Sequence, residues 1–186
     1  MQPDLTRRLL SYGLIATATV LLFFGGREFL GSRIGQFEAG RTFSNARPAP
    51  DYFKTRRGET IAKLTIPRLG AELFVIEGDG PDQLRRGPGH LSDTAPLGTT
   101  GNSVIAGHRD THFRVLKDVR KGDTILIETR KKRFLYTVSS TKVVSPDDTS
   151  SLKPTREAEL NLVTCYPFAY VGNAPKRFVV EARPAS

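Results

Sequence analysis

The side chain best suited to covalent chemistry in this sequence is its single cysteine, Cys165. A free thiol has a pKa near 8.5, so a nucleophilic role at neutral pH requires a nearby imidazole or cation. The alternative is that Cys165 is a small buried apolar residue. An apolar stretch, Leu160 to Thr164, precedes the thiol, and Tyr166 and Pro167 follow it. We therefore expect Cys165 at the end of a strand, where catalytic groups commonly lie.

Three histidines are candidates for proton transfer to and from such a thiol. His108 follows an apolar stretch, Ser103 to Ala106, with Gly107 between them. A histidine that leaves a buried strand through a glycine is the best candidate for a general acid or base. His90 lies in a predicted turn and His112 opens a predicted short helix, and any of the three could be an ordinary surface histidine.

An arginine near the last predicted strand could stabilise negative charge. Arg177 comes twelve residues after Cys165. If the two strands are antiparallel neighbours, Arg177 lies beside the thiol. A guanidinium can then donate to a developing oxyanion without competing as a base. The alternative is an ordinary strand-end cation, and Arg109 and Arg183 are rivals for the same role.

These residues must be positioned by an all-β domain, because short apolar segments rich in Val, Ile, Thr and Phe recur from residue 59 onward. A chain this small is expected to close such strands into a barrel and so avoid exposed edges. Helical patterns are confined to Asp82 to Arg86 and His112 to Val119. The predicted strands are Ile61 to Ile66, Ala71 to Ile76, Asn102 to Ala106, Thr124 to Glu128, Phe134 to Val144, Leu160 to Cys165 and Phe178 to Ala182.

An uncharged apolar run at residues 9–26 precedes this domain. As a helix it would be about 27 Å long, close to the roughly 30 Å of a bilayer core. We predict an uncleaved transmembrane signal anchor. A cleaved signal peptide is less favoured, because the small-residue pattern Ala16 to Ala18 lies inside the run. Arg7 and Arg8 favour a cytoplasmic N-terminus and an extracytoplasmic domain, although Arg27 and Arg33 oppose this orientation.

The predicted organisation is therefore a cytoplasmic N-terminus (1–8), a membrane anchor (9–26), a juxtamembrane tether (27–58) containing Pro48 and Pro50, and a catalytic domain (59–186). At 38% hydrophobic and 25% charged residues, the composition excludes wholesale disorder. One cysteine excludes an intramolecular disulfide and any zinc site built from two or more thiolates.

The net charge of +9 is concentrated near the predicted membrane anchor. Residues 1–58 carry nine basic and four acidic side chains. This distribution favours contact with anionic lipid headgroups and argues against a nucleic-acid partner. The densest basic run, Arg130 to Arg133, is interpreted as a solvated hairpin tip, because no aromatic residues interleave with it.

Three motifs together resemble the sortase family of membrane-anchored cysteine transpeptidases. The family signature T-L-x-T-C corresponds to Asn161 to Cys165, with Asn in place of the first Thr. Gly107 to Arg109 matches the family's histidine motif, and Arg177 matches the basic residue on the strand after the cysteine. The similarity covers about residues 59–183 and is strongest to class D.

The resemblance implies a closed eight-stranded sortase-type β-barrel with one or two short helices, without cofactor or metal. It implies that Cys165 attacks an LPxTG-like sorting motif near the C-terminus of an exported protein and forms a thioacyl intermediate. An amine acceptor on a surface polymer or protein then takes the acyl group. By the same resemblance His108 is the general acid and base, and Arg177 stabilises the oxyanion or orients the substrate.

The loop from Ser145 to Ala158 would border the substrate groove in this fold, and we expect it to set specificity. Asp147 and Asp148 in this loop are more often a helix cap or a solvated turn than a calcium site. Two alternatives to a transpeptidase stay open from the sequence. One is a non-catalytic peptide-binding module of the cell envelope, and the other is a thiol hydrolase that releases the cleaved protein.

Overall fold

The computed structural model of the chain describes residues 4–45 and 55–185, without the side chains of 4–6 and 24–29. A long helix, α1 (Asp4–Asn45), precedes eight strands and one further short helix, α2 (Pro81–Arg86). Short 3₁₀ segments cover Pro67–Leu69, His112–Asp118 and Ser150–Leu152. The strands are β1 (Thr60–Ile66), β2 (Ala71–Glu77), β3 (Gly89–His90), β4 (Asn102–Gly107), β5 (Thr124–Thr129), β6 (Arg133–Val144), β7 (Glu159–Tyr166) and β8 (Lys176–Pro184).

The eight strands close into one barrel in the order β1-β2-β3-β4-β7-β8-β6-β5. This confirms the closed eight-stranded fold, and each of the seven strands predicted from apolar patterns is present. The eighth, β3, has only two residues, which is too short to produce an alternating pattern. His90 therefore lies in a strand and not in a turn. The basic run 130–133 does join β5 to β6 as a hairpin. The N–H of Thr129 donates to the carbonyl of Lys132 at 2.9 Å and closes this hairpin.

The barrel interior is filled by every second side chain of the strands. In three neighbouring strands, Ile105 of β4, Leu162 of β7 and Val180 of β8 are fully buried members of the core. Burying a side chain of this size contributes about 1.5–3 kcal/mol. Because side chains alternate along a strand, Asn161, Val163 and Cys165 of β7 face away from this core.

The second half of α1 packs against the barrel, which differs from the tether predicted at 27–58. Gly35 and Ala39 face the protein, and a Cβ atom on Gly35 would lie 2.7 Å from the Cα atom of Arg86. The Gln36 side chain accepts from Phe74 N–H at 2.7 Å and donates to the carbonyls of Phe74 and Arg86. Small residues and one amide thus dock a helix whose sequence lacks a sustained apolar period. Residues 46–54 of the predicted tether lie outside the described residues.

Helix α1 also includes the predicted membrane span at 9–26, whose side chains are described as far as Phe23. Among the described residues, no helix has the length and apolarity that crossing a membrane requires. The transmembrane helix predicted here is therefore not found in the structure.

Candidate active site

The register of β4 against β7 places His108 beside Cys165. The two strands are parallel and paired from Asn102 opposite Glu159 to Gly107 opposite Thr164. His108 follows Gly107 and Cys165 follows Thr164, so both residues lie at the same end of these two neighbouring strands. The imidazole is exposed and the thiol is half-buried. This arrangement leaves both groups accessible to a substrate.

Arg177 lies on the other side of the thiol. Strands β7 and β8 are antiparallel, and Cys165 is directly opposite Arg177. Side chains at directly opposed positions lie on the same face of a sheet. Arg177 Nη1 donates to the carbonyls of Lys176 at 3.1 Å and Ala174 at 3.3 Å, which hold the guanidinium at the start of β8. The three predicted residues thus lie at the same end of the barrel, on or directly after three adjacent strands.

Two packing features fix the strand end that carries His108. A Cβ atom on Gly107 would lie 2.7 Å from the Phe113 ring, so only glycine leaves room for this ring against the end of β4. The backbone N–H of Phe113 donates to the carbonyl of His108 at 3.0 Å. The segment 112–118 therefore packs against the end of β4 and restrains the backbone of His108.

Thr164 links the strand of the thiol to the strand of the imidazole. Its hydroxyl, in a 3% exposed residue, donates to the carbonyl of Gly107 at 2.6 Å. The bond ties together the residues that immediately precede Cys165 and His108. Sequence reasoning did not single out Thr164, although a hydroxyl at an inward position of a buried strand was a usable signal.

Replacing Thr164 with Val, which has the same shape and no hydroxyl, should loosen this link. We expect Thr164→Val to lower the free energy of unfolding by about 1–3 kcal/mol, because a buried carbonyl loses its donor. Thr164→Ser keeps the hydroxyl and should retain most of that stability. Urea unfolding of both variants checks this, and equal destabilisation by Ser and Val would contradict the role of the hydroxyl.

His90 does not belong to this site. It is 2% exposed and its Nδ1 lies 3.0 Å from a carboxylate oxygen of Glu77, while its Nε2 lies 3.1 Å from the carbonyl of Ala95. Both ring nitrogens are thus engaged in the protein interior. This histidine stabilises the junction between β2, β3 and the following loop.

His112 is buried between the site and helix α1. Its Nε2 lies 3.4 Å from Ser32 Oγ and 3.5 Å from the carbonyl of Arg85. Burial lowers the pKa of the His112 imidazole below its ordinary value, and the nearby His108 acts in the same direction. A buried, neutral imidazole that packs against α1 is a structural group here.

The lowered pKa of His112 predicts a loss of stability in acid. The unfolded chain takes up a proton as pH falls below about 6.5, whereas folded His112 resists protonation until a lower pH. The free energy of unfolding should therefore decrease over this interval. His112→Gln removes the titrating group, so its unfolding free energy should depend less on pH there. Urea titrations across this range check the prediction, and identical pH slopes for both proteins would contradict it.

The two rival arginines lie elsewhere. Arg109 Nη2 donates to the carbonyls of Tyr170 at 2.8 Å and Gly172 at 2.9 Å, and its guanidinium lies 5.5 Å from the centre of the Tyr170 ring. It thereby holds the loop between β7 and β8 beside the site. Arg183 is exposed and lies opposite Thr137, toward the far end of β8 from Arg177. Arg177 is therefore the arginine whose strand position best serves Cys165.

The loop from Ser145 to Ala158 begins close to the site. Val144, the last residue of β6, lies opposite Arg177, which in turn lies opposite Cys165. Asp148 accepts from the N–H of Ser150 at 2.9 Å and so caps the short 3₁₀ turn of the loop. Hydrogen bonding to the Ser150 side chain, and then to its backbone, holds the pKa of Asp148 below its ordinary value. Within the described ranges no three acidic, histidine or cysteine side chains gather into a metal-binding group.

Comparison with known proteins gives one consistent family. The sortase domain model matches residues 64–185. The chain is 43% identical to sortase D of Bacillus subtilis over 132 residues, covering 70% of this chain and 67% of that protein. It is 33% identical to sortase SrtE1 of Streptomyces coelicolor, covering 67% of this chain and 40% of that one. The solved sortase D5 transpeptidase of Clostridium perfringens superposes with a TM-score of 0.71 at 27% identity, covering 84% of this chain and 99% of the other.

Proposed function

The chain belongs to the sortase family of cysteine transpeptidases, and we propose that it cleaves an LPxTG-like sorting motif near the C-terminus of an exported protein and joins the acyl part to an amine. The observation that carries this proposal is the strand register. Strand β7, which carries Cys165, pairs with β4, which ends one residue before His108, and with β8, in which Arg177 is the second residue. A nucleophile flanked by a titratable ring and a permanent cation has the groups that acyl transfer requires.

Each of the three residues has one part in the proposed reaction. The Cys165 thiolate attacks the carbonyl carbon of the scissile peptide bond, and Arg177 donates to the oxygen while it carries negative charge. The carbon–nitrogen bond then breaks, and protonated His108 gives its proton to the leaving amine. The thioester keeps the acyl group activated, so an incoming amine can attack it, release the thiol and form a new amide, with His108 taking up the amine proton.

The outer face of β4 and β7 offers the proposed binding surface. By strand alternation Ala106 of β4 lies on the same face as Val163 and Cys165 of β7, and all three are partly exposed. Further from the thiol this face is covered, because Val104 and Asn161 are buried. An extended peptide laid over the thiol end of these strands would meet the small apolar side chains of Ala106 and Val163. The loop from Ser145 to Ala158 begins beside Arg177 and is proposed to form one wall of this groove.

A product assay tests the proposed function against the thiol hydrolase alternative. The full chain is incubated with a set of LPxTG-like peptides, with and without an amine acceptor such as triglycine, and the products are identified by mass. A transpeptidase forms the amide when the amine is present. Release of only the carboxylate at saturating amine would favour the hydrolase, and uncleaved but bound peptide would favour the non-catalytic module.

We further propose that the N-terminal helix contacts the membrane and holds the barrel on the extracytoplasmic side. Supporting this, α1 carries large apolar side chains on its surface, such as Leu14 at 71% and Leu22 at 76% exposure. Exposed apolar side chains in such number are typical of a membrane or protein contact. Carbonate extraction and protease access in intact cells test the proposal. Release of the chain into the soluble fraction would contradict it.

A further inference from the structure

Asn161, the residue at which this chain departs from the family signature, is buried on the same outward side of β7 as the thiol. It is 1% exposed and lies four residues before Cys165, a separation of about 13 Å along the strand. Its Nδ2 donates to Asn102 Oδ1 at 2.8 Å and to a Glu159 carboxylate oxygen at 3.0 Å. The departure therefore introduces a specific contact with the neighbouring strand β4.

Asn102 also forms hydrogen bonds with the loop that begins near the active site. It is 3% exposed, and its Nδ2 donates to the carbonyls of Ser151 at 2.8 Å and Lys153 at 3.0 Å. One carboxamide thus accepts from Asn161 through its oxygen and donates twice to the loop through its nitrogen. The two loop carbonyls hold the amide nitrogen of Asn102 toward the loop, and the donor at position 161 holds its oxygen toward β7.

The two ends of this loop are held at opposite ends of the strands. The loop leaves β6 at Val144, opposite Arg177, and enters β7 at Glu159, whose N–H donates to Gly101 at 2.9 Å. The hydrogen bonds from Asn102 hold the second half of the loop at Ser151 and Lys153, and Ser151 is 6% exposed. The first half, residues 145–150, is then left as a short span beside the groove.

Stability does not explain why an asparagine occupies position 161. Asn161 Oδ1 is buried and finds no hydrogen-bond partner among the described residues. An unpartnered buried acceptor opposes folding. The Thr of the family signature would not leave a carboxamide oxygen unpaired, but it lacks the amide group that donates to both Asn102 and Glu159.

From these contacts we propose that the Asn161–Asn102 pair is a positioning device that holds the loop from Ser145 to Ala158 against β4 and thereby sets which sorting motifs the groove accepts. The inference rests on the proposed transpeptidase function. The pair acts through the loop and does not touch the reacting atoms. Loosening it should leave the reaction at Cys165 intact and broaden the range of peptides.

Two variants and one matched control test the pair in the full chain. Asn161→Thr restores the family residue and removes the donor to Asn102, and Asn102→Ala removes the direct bonds to the loop. Ser140→Ala is the control, because it removes another polar pair of the barrel, Ser140 with Glu181 at 2.6 Å, on the β6–β8 side. Hydrogen exchange of amides 150–158 and kcat and KM for a set of LPxTG-like peptides varied at each motif position are measured with triglycine as acceptor.

We expect loop amides to exchange about tenfold faster in both asparagine variants, as the loss of one or two hydrogen bonds predicts. The ratio of kcat/KM between the best and the next-best peptide should fall by about fivefold to tenfold, through KM, with kcat for the best peptide within about twofold of wild type. Ser140→Ala should change neither quantity. Unchanged loop exchange, or faster exchange with unchanged peptide discrimination, would overturn the proposal.

The two readouts separate failure of this inference from failure of the proposed function. If the wild-type chain forms product with no peptide, the transpeptidase proposal fails and the specificity role fails with it. If the wild type is active and the asparagine variants keep its discrimination, the transpeptidase proposal stands and only the positioning role is overturned.

Discussion

Cys165→Ala is expected to abolish cleavage of sorting peptides, with a loss of about 10⁴-fold or more in kcat. The reason is that the thiol forms the bond that replaces the peptide bond, and no other cysteine is present in the chain. Because Cys165 is half-buried at a strand end, removing its sulfur should change the unfolding free energy little. Steady-state cleavage of a fluorogenic LPxTG-like peptide measures the loss, and far-ultraviolet circular dichroism reports the fold.

Cys165→Ser is the matched control for nucleophilicity. It keeps the shape and polarity of the side chain, but a hydroxyl is far harder to ionise than a thiol, so it should be nearly as inactive as Ala. Substantial turnover by Cys165→Ala would contradict the nucleophile assignment. An unfolded Ala variant with a folded, inactive Ser variant would still support the assignment, because the folded Ser protein isolates the chemistry.

Arg177→Ala is expected to lower kcat/KM by about 10²- to 10³-fold, the range observed when one oxyanion donor is removed. Arg177 lies directly opposite the thiol residue on the neighbouring strand, and a guanidinium can donate to an oxyanion without acting as a base. Most of the loss should appear in kcat, since an oxyanion donor acts in the transition state. A loss confined to KM would instead assign Arg177 to substrate binding. Initial rates over a range of peptide concentrations separate the two.

Two substitutions on the same strand serve as controls for Arg177. Arg177→Lys keeps the charge without the planar donor pair and should recover only part of the activity. Arg183→Ala removes an exposed cation near the other end of β8 and should leave kcat/KM within about twofold of wild type, as surface substitutions usually do. Equal losses for Arg177→Ala and Arg183→Ala would show a general charge effect and contradict a local role.

The sequence indicates three candidate residues because each one lies at or next to the end of a strand with a strong apolar pattern. His108 directly follows β4, Cys165 is the last residue but one of β7, and Arg177 is the second residue of β8. The register that makes them neighbours could not be read in the same way. It depends on the parallel pairing of β4 and β7, whose residues are more than fifty positions apart in the chain.

Features stabilised by side-chain contacts between distant elements were harder to predict. The docking of α1 depends on Gly35 and on the three hydrogen bonds of Gln36, and neither produces a periodic pattern. The sequence of this segment therefore indicates a tether. The contact of Asn161 is hard to predict for the same reason, because its partner Asn102 lies 59 residues away and its sequence neighbours are apolar strand residues.

The most direct test of the central claim is the mass of the enzyme trapped with a sorting peptide in the absence of an amine acceptor. The full chain is mixed with LPxTG-like peptides, quenched in acid and digested. The mass of the fragment that contains residue 165 is then measured by mass spectrometry. We predict a mass increase equal to the acyl part of the peptide, located on Cys165 and removed by hydroxylamine as a thioester is. No adduct on Cys165 with any peptide, or an adduct on another residue, would contradict the account.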